Sequence, residues 1–158
     1  MTQLRSTDPT TQPPPSEAER AIAQLRAERA ATLRLLLRLP DEECSRKVSW
    51  WGREQSINQR LRAFTAHALD HFQHLHRLLQ ARGRPITEAQ LLLMKAHAAQ
   101  AEFEALVLSL SDEEFAAEGP VDGDWSAGRI VEHMIETERE YRESIAVALP
   151  DPAALQRR

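Results

Sequence analysis

The chain has few of the residues that build disulfide-stapled or β-rich domains. Its 158 residues include a single cysteine, Cys44, which excludes an intramolecular disulfide and fits a reducing, cytoplasmic compartment. Aromatic residues make up 5% and glycine occurs five times. No segment alternates apolar and polar residues cleanly with period two, so strand signals are nearly absent. No apolar run approaches the roughly 20 residues that a membrane-spanning helix needs, and Met1 to Pro15 has no apolar core of the signal-peptide kind. Neither sign of charge dominates. Lys and Arg number 20 against 24 Asp and Glu, for a net charge of -4, and the arginines are scattered. That balance argues against a nucleic-acid footprint and against a membrane surface.

What is present is helical periodicity, in four segments. The first 15 residues, rich in Ser, Thr, Gln and Pro, read as a disordered or extended tail. Ser16 and Glu19 then have capping-box spacing and open a helix to about Arg38, with Ile22, Leu25, Leu33, Leu36 and Leu37 on its stripe and Pro40 beyond its end. A second helix runs from the N-cap Ser56 to about Ala81, with Ile57, Leu61, Phe64, Ala68, His71, Leu75 and Leu78 on one face and Gly83 past its end. Thr87 and Gln90 open a third, to Ser109. Ser126 opens a fourth, to Leu149, stopped by Pro150; residues 150–158 read as a second tail. Four helices of matched length are expected to pack as an all-α, antiparallel four-helix bundle over residues 16–149.

The two long connections repeat one another. Leu39-Pro40-Asp41-Glu42-Glu43-Cys44 is followed by Trp50-Trp51 and the N-cap Ser56. Leu110-Ser111-Asp112-Glu113-Glu114-Phe115 is followed by Trp125 and the N-cap Ser126. The chain therefore reads as two helix-loop-helix halves, whose long loops are expected to cap one end of the bundle and wall a pocket. The tryptophans fit packing at that end, or a pocket mouth.

Chemistry is concentrated in the histidines. His67, His71, His74 and His76 fall within ten residues on the second helix. His67 and His71 are i and i+4, the spacing at which one helix offers two imidazoles to one metal ion. His71 lies in the apolar stripe and His67 at its edge. His133 lies in the stripe of the fourth helix, in the matching half of the repeat. From their N-caps, His133 stands at +7 and His67 and His71 at +11 and +15. A helical His-x-x-x-His pair also fits surface or core histidines, and His74, at i+3 from His71, is an alternative ligand to His67. His97 shares a face with Leu93, Gln100 and Glu104 and reads as a surface residue. Three imidazoles leave a fourth metal position open for water or substrate, as in catalytic zinc sites. Imidazole suits zinc, nickel, copper and iron alike. The Glu-x-x-His pairs of a di-iron bundle are missing. Asp70 and Glu136 are candidate acceptors for ligand imidazoles, Tyr141 a candidate hydrogen-bond donor near the metal, and Cys44 a small buried residue.

Trp125-Ser126, six residues, then His133 followed by Met-Ile-Glu-Thr-Glu resembles the metal-binding helix of the DinB/YfiT-like superfamily. The segment from Ser56 to His67-Ala-Leu-Asp-His71 resembles the helix that supplies two further histidines in that family. The resemblance covers about residues 20–149, with the two halves in swapped order, which a pseudo-two-fold bundle tolerates. A second register, with His67 at the non-ligand +7 position, would put Leu75 at a ligand position. The resemblance implies a divalent metal, zinc or nickel foremost, held by His67, His71 and His133. It also implies transferase or isomerase chemistry on a small molecule, often with a low-molecular-weight thiol. The alternatives are a metal- or small-molecule-binding stress-response bundle without turnover, and an interaction module. A homodimer through an exposed helical face is compatible with each.

Overall fold

The computed structural model describes residues 14–151; most of both expected tails, 1–13 and 152–158, lies outside the described residues. Along the chain come α1 (Glu17–Leu36), a 3-10 turn (Asp41–Ser45), β1 (Lys47–Trp50), β2 (Arg53–Ser56), α2 (Ile57–Ala81), α3 (Glu88–Ser109), α4 (Asp112–Ala116) and α5 (Ala127–Ala148). The protein is mostly helical, and the four long helices fall where the periodicity puts them. No helix among the described residues is long and apolar enough to cross a membrane.

Local chemistry explains each boundary. Ser16 accepts a hydrogen bond from the Glu19 amide at 3.2 Å while the Glu19 carboxylate accepts from the Ser16 amide at 2.6 Å, closing a capping box on α1. Ser56 and Gln59 close the equivalent box on α2, and Thr87 and Gln90 the one on α3. At the end of α2, Gly83 adopts φ 66°, the Arg84 amide donates to the Leu79 carbonyl and the Gly83 amide donates to the Gln80 carbonyl. That pair of bonds is a Schellman motif, and it needs the left-handed residue that glycine supplies without penalty.

The repeated loop sequence gives a repeated local structure. Both acidic segments, Asp41–Ser45 and Asp112–Ala116, form a short helical turn. They differ because Ser111 closes a capping box with Glu114, whereas Pro40 in the corresponding place offers no side-chain acceptor. The capped segment is α-helical and the uncapped one is 3-10.

The expectation that strands are absent is corrected in the first loop. Residues 47–56 form an antiparallel hairpin in which Trp50 pairs with Arg53 across a two-residue turn. Trp51 (φ 49°) and Gly52 (φ 73°) both lie in the left-handed region, the requirement of a type I′ turn. Tryptophan rarely occupies that region, which hides the turn from a search for Asn-Gly or Asp-Gly.

The chain divides into two compact units, Met1–Leu78 and Leu79–Arg158. In the first, the hairpin is tied to α2. The Ile57 amide donates to the Arg46 carbonyl at 2.9 Å, and Arg60 reaches back over the Trp50 ring at 4.5 Å while donating to Gln55 Oε1 at 2.7 Å. In the second, Phe115 of α4 lies against Gly128 in the first turn of α5, and Gln100 of α3 donates to Glu138 of α5 at 3.0 Å. No described side chain is fully buried. The apolar stripes of the long helices are half-buried or open: Phe64 is 53% exposed, Leu75 56% and Ile145 61%.

Candidate metal centre

The site is built first from α2. The helix opens at the Ser56 box and carries His67, His71 and His74 along its middle. The rings of His67 and His71 stand 4.4 Å apart between centroids, at 88° to each other. His74 is farther from His71, at 6.5 Å and 28°. Donor nitrogens of two imidazoles on one ion lie roughly 3 to 4 Å apart, a spacing that the closer pair can meet. The geometry therefore prefers His67 over His74 as the companion of His71. His76 is drawn aside and stacks on Phe72 at 6.5 Å. All three histidines of the row are exposed, so water and solutes reach them.

His133 lies in the second unit, on α5. Its ring meets the indole of Trp125 at 5.1 Å in a T-shaped contact of 77°, and its Nε2 lies 3.5 Å from Thr137 Oγ1. The hydrogen-bonding neighbour of the His133 imidazole is thus Thr137, one turn along α5. Trp125 also carries the Arg129 guanidinium over its ring at 4.7 Å. Among the described residues, neither unit by itself gathers three His, Cys, Asp or Glu side chains that could hold a metal ion.

The remaining candidates stand apart from these contacts. Tyr141 is 65% exposed, and His97 is exposed on α3. Cys44, expected to be buried, is half-buried, with its Sγ 3.9 Å from the Pro40 carbonyl. Trp50 and Trp51 stack at 5.5 Å, and Trp51 projects into solvent. An open groove of about 400 Å³ lies between α3 and α5, lined by Phe103, Val131, Met134 and Ile135 with Arg139 and Arg142 at its side. None of the candidate ligands lines it.

Sequence reasoning missed the ring contacts made by the tryptophans and by Arg60 and Arg129. The repeat carried a signal for them: each long loop ends in tryptophan shortly before an N-cap serine, with arginine in the next helical turn. No protein-family model matches the chain, and neither the curated proteins nor the solved structures give a significant match.

Proposed function

We propose that the chain is a DinB-like four-helix bundle that holds one divalent metal ion through His67, His71 and His133 and uses it in thiol-dependent transferase or isomerase chemistry on a small molecule. The observation that carries the reading is the His67–His71 pair, two imidazoles 4.4 Å apart on successive turns of one helix. The donor set is neutral nitrogen throughout, which suits zinc or nickel.

Association of the long helices supplies the bundle. Phe64 and Leu75 of α2, Leu91 of α3 and Ile145 of α5 lie more than 40% open. Covering an aliphatic or aromatic side chain fully is worth about 1.5–3 kcal/mol, so packing stripe against stripe is strongly driven. His71 sits within the apolar stripe of α2 and His133 within that of α5.

When bound, a divalent ion with an open fourth position lowers the pKa of a water or thiol held there. The work of the chain is to keep the imidazoles oriented. His67 and His71 are fixed by their shared helix, and His133 by its contacts with Trp125 and Thr137.

Metal analysis of untagged protein tests the reading. About one equivalent of zinc or nickel, with a rise in thermal midpoint on loading, is expected. Less than about 0.2 equivalents and no thermal gain would sink it. A screen of metal-loaded protein with low-molecular-weight thiols and electrophilic substrates tests the chemistry. Stoichiometric metal without turnover in that screen would identify a metal-binding bundle in place of an enzyme.

A further inference from the structure

The helix caps of this protein follow one rule with one exception. At the third helical position, α1 has Glu19, α2 Gln59, α3 Gln90 and α4 Glu114, and each side chain accepts a hydrogen bond from the N-cap amide. In α5 that position is Arg129, which carries donors only and cannot close the box. The Ser126 hydroxyl still accepts from the Arg129 amide at 3.2 Å, so half of the cap remains. The arginine side chain is spent elsewhere: its guanidinium lies 4.7 Å over the ring of Trp125. Trp125 precedes the N-cap, and its indole is folded back along the start of α5 until it meets His133 at 5.1 Å. Arg129 and His133 are i and i+4, so both side chains rise on one face and the indole bridges them.

From this arrangement we propose that Trp125 is the positioning residue of His133: the indole, held by Arg129, fixes the orientation of the imidazole. His133 is solvent-exposed and would otherwise sample several rotamers. The T-shaped contact with the indole favours one of these rotamers, and the Arg129 guanidinium over the indole holds the indole in place. Thr137 Oγ1 also lies 3.5 Å from Nε2 of the same ring. The orientation of His133 stands on these contacts alone; its consequence for metal affinity rests on the proposed function.

The experiment has a metal-free arm and a metal arm. In the metal-free full-length protein, NMR of the His133 ring protons reports the ring current of Trp125. The expected result is a displaced His133 signal that returns toward the random-coil position in Trp125→Leu and is largely retained in Trp125→Phe, with far-UV circular dichroism unchanged in both. In the metal arm, zinc affinity is measured by competition with a chromophoric chelator. Trp125→Leu is expected to weaken zinc binding about 10–100-fold, the usual effect of removing an orienting neighbour, with most of the loss restored in Trp125→Phe. Identical His133 signals in wild type and Trp125→Leu would overturn the proposal. So would equal zinc affinities in a wild type that binds zinc. If Trp125→Leu does not fold, the wild type and Trp125→Phe decide alone: a random-coil His133 signal in both overturns it. A displaced signal in a wild type that binds no zinc leaves the positioning intact and removes the metal reading.

Discussion

The imidazole of His67 stands edge-on to that of His71, 4.4 Å away and one helical turn earlier on α2. His71 is also the nearer neighbour of His74, at 6.5 Å, so it is the shared member of the row. Substituting it should therefore do the most damage. His71→Ala and His133→Ala are each expected to abolish stoichiometric zinc or nickel, and His67→Ala to lower affinity at least tenfold. His74→Ala and His97→Ala should bind as wild type does. Metal content by mass spectrometry and calorimetric titration read all five. Normal binding by His71→Ala, or loss of binding in His74→Ala with His67→Ala intact, would show that the ligand register is wrong.

Two glycines, Gly119 in the second loop and Gly128 in the first turn of α5, have different expected responses to alanine. A Cβ on Gly119 would clash with Asp124 Cβ and lie 2.9 Å from its Oδ2, and Asp124 is itself tied down by the Val121 amide at 3.2 Å. The contact is close to the backbone of the loop and cannot be relieved by one side-chain rotation. Gly119→Ala should cost about 1–3 kcal/mol, as overpacking does. A Cβ on Gly128 meets the ring edge of Phe115 at 3.2 Å and its carbonyl oxygen at an ordinary 3.6 Å, and the position is helical. There the gain of about 1 kcal/mol in helix propensity opposes a small shift of the ring. Gly128→Ala should fall within about 1 kcal/mol of wild type. Urea denaturation of the two variants checks the contrast; equal destabilisation would contradict it.

The helices were legible because their information is local. Ser16 with Glu19, Thr87 with Gln90 and the serines at 56 and 126 announce their helices, and the structure closes a hydrogen bond at every one. Gly83 announced the end of α2 in the same way. The hairpin was not legible, because its turn places Trp51 at positive φ where Asn, Asp or Gly is the usual signal, and its strands are four residues each. Of the candidate site, the His67–His71 proximity follows from helical geometry and could be read directly. The indole beside His133 could not, because it depends on how the residue before an N-cap folds back, and no periodic rule carries that direction.

Arg60 holds the hairpin to α2 from both strands, over Trp50 in β1 and to Gln55 in β2. Its Nε is enclosed with no hydrogen-bond partner, so the residue contributes through stacking and one good bond. Arg60→Ala removes both and should cost about 1–2 kcal/mol in total. Arg60→Lys keeps the charge but not the planar stacking surface, and should recover only part of the loss. Trp emission should shift to the red in Arg60→Ala as Trp50 gains solvent. Full recovery by lysine would show that charge alone, rather than the guanidinium plane, holds the hairpin.

The cap of α1 gives the protein a defined acid response. The backbone amide of Ser16, and then its side chain, hydrogen-bond the Glu19 carboxylate and hold its pKa below the ordinary value of 4.5. A carboxyl whose pKa is lower in the folded state binds its proton more readily when unfolded, so folding is favoured wherever the carboxylate is charged in both states. The contribution of Glu19 is thus complete above its unfolded pKa, and it is lost as the pH falls through the depressed folded value. Glu19 is fully exposed, so the effect is confined to the first turn of α1 and is weakened by salt. In Glu19→Gln the amide can still accept from the Ser16 amide, but nothing titrates. The difference in helicity between wild type and Glu19→Gln, followed by circular dichroism from neutral pH to about pH 2, should be largest at neutral pH and close on acidification. A difference that stays constant across that range would show that the charge of Glu19 takes no part in capping the helix.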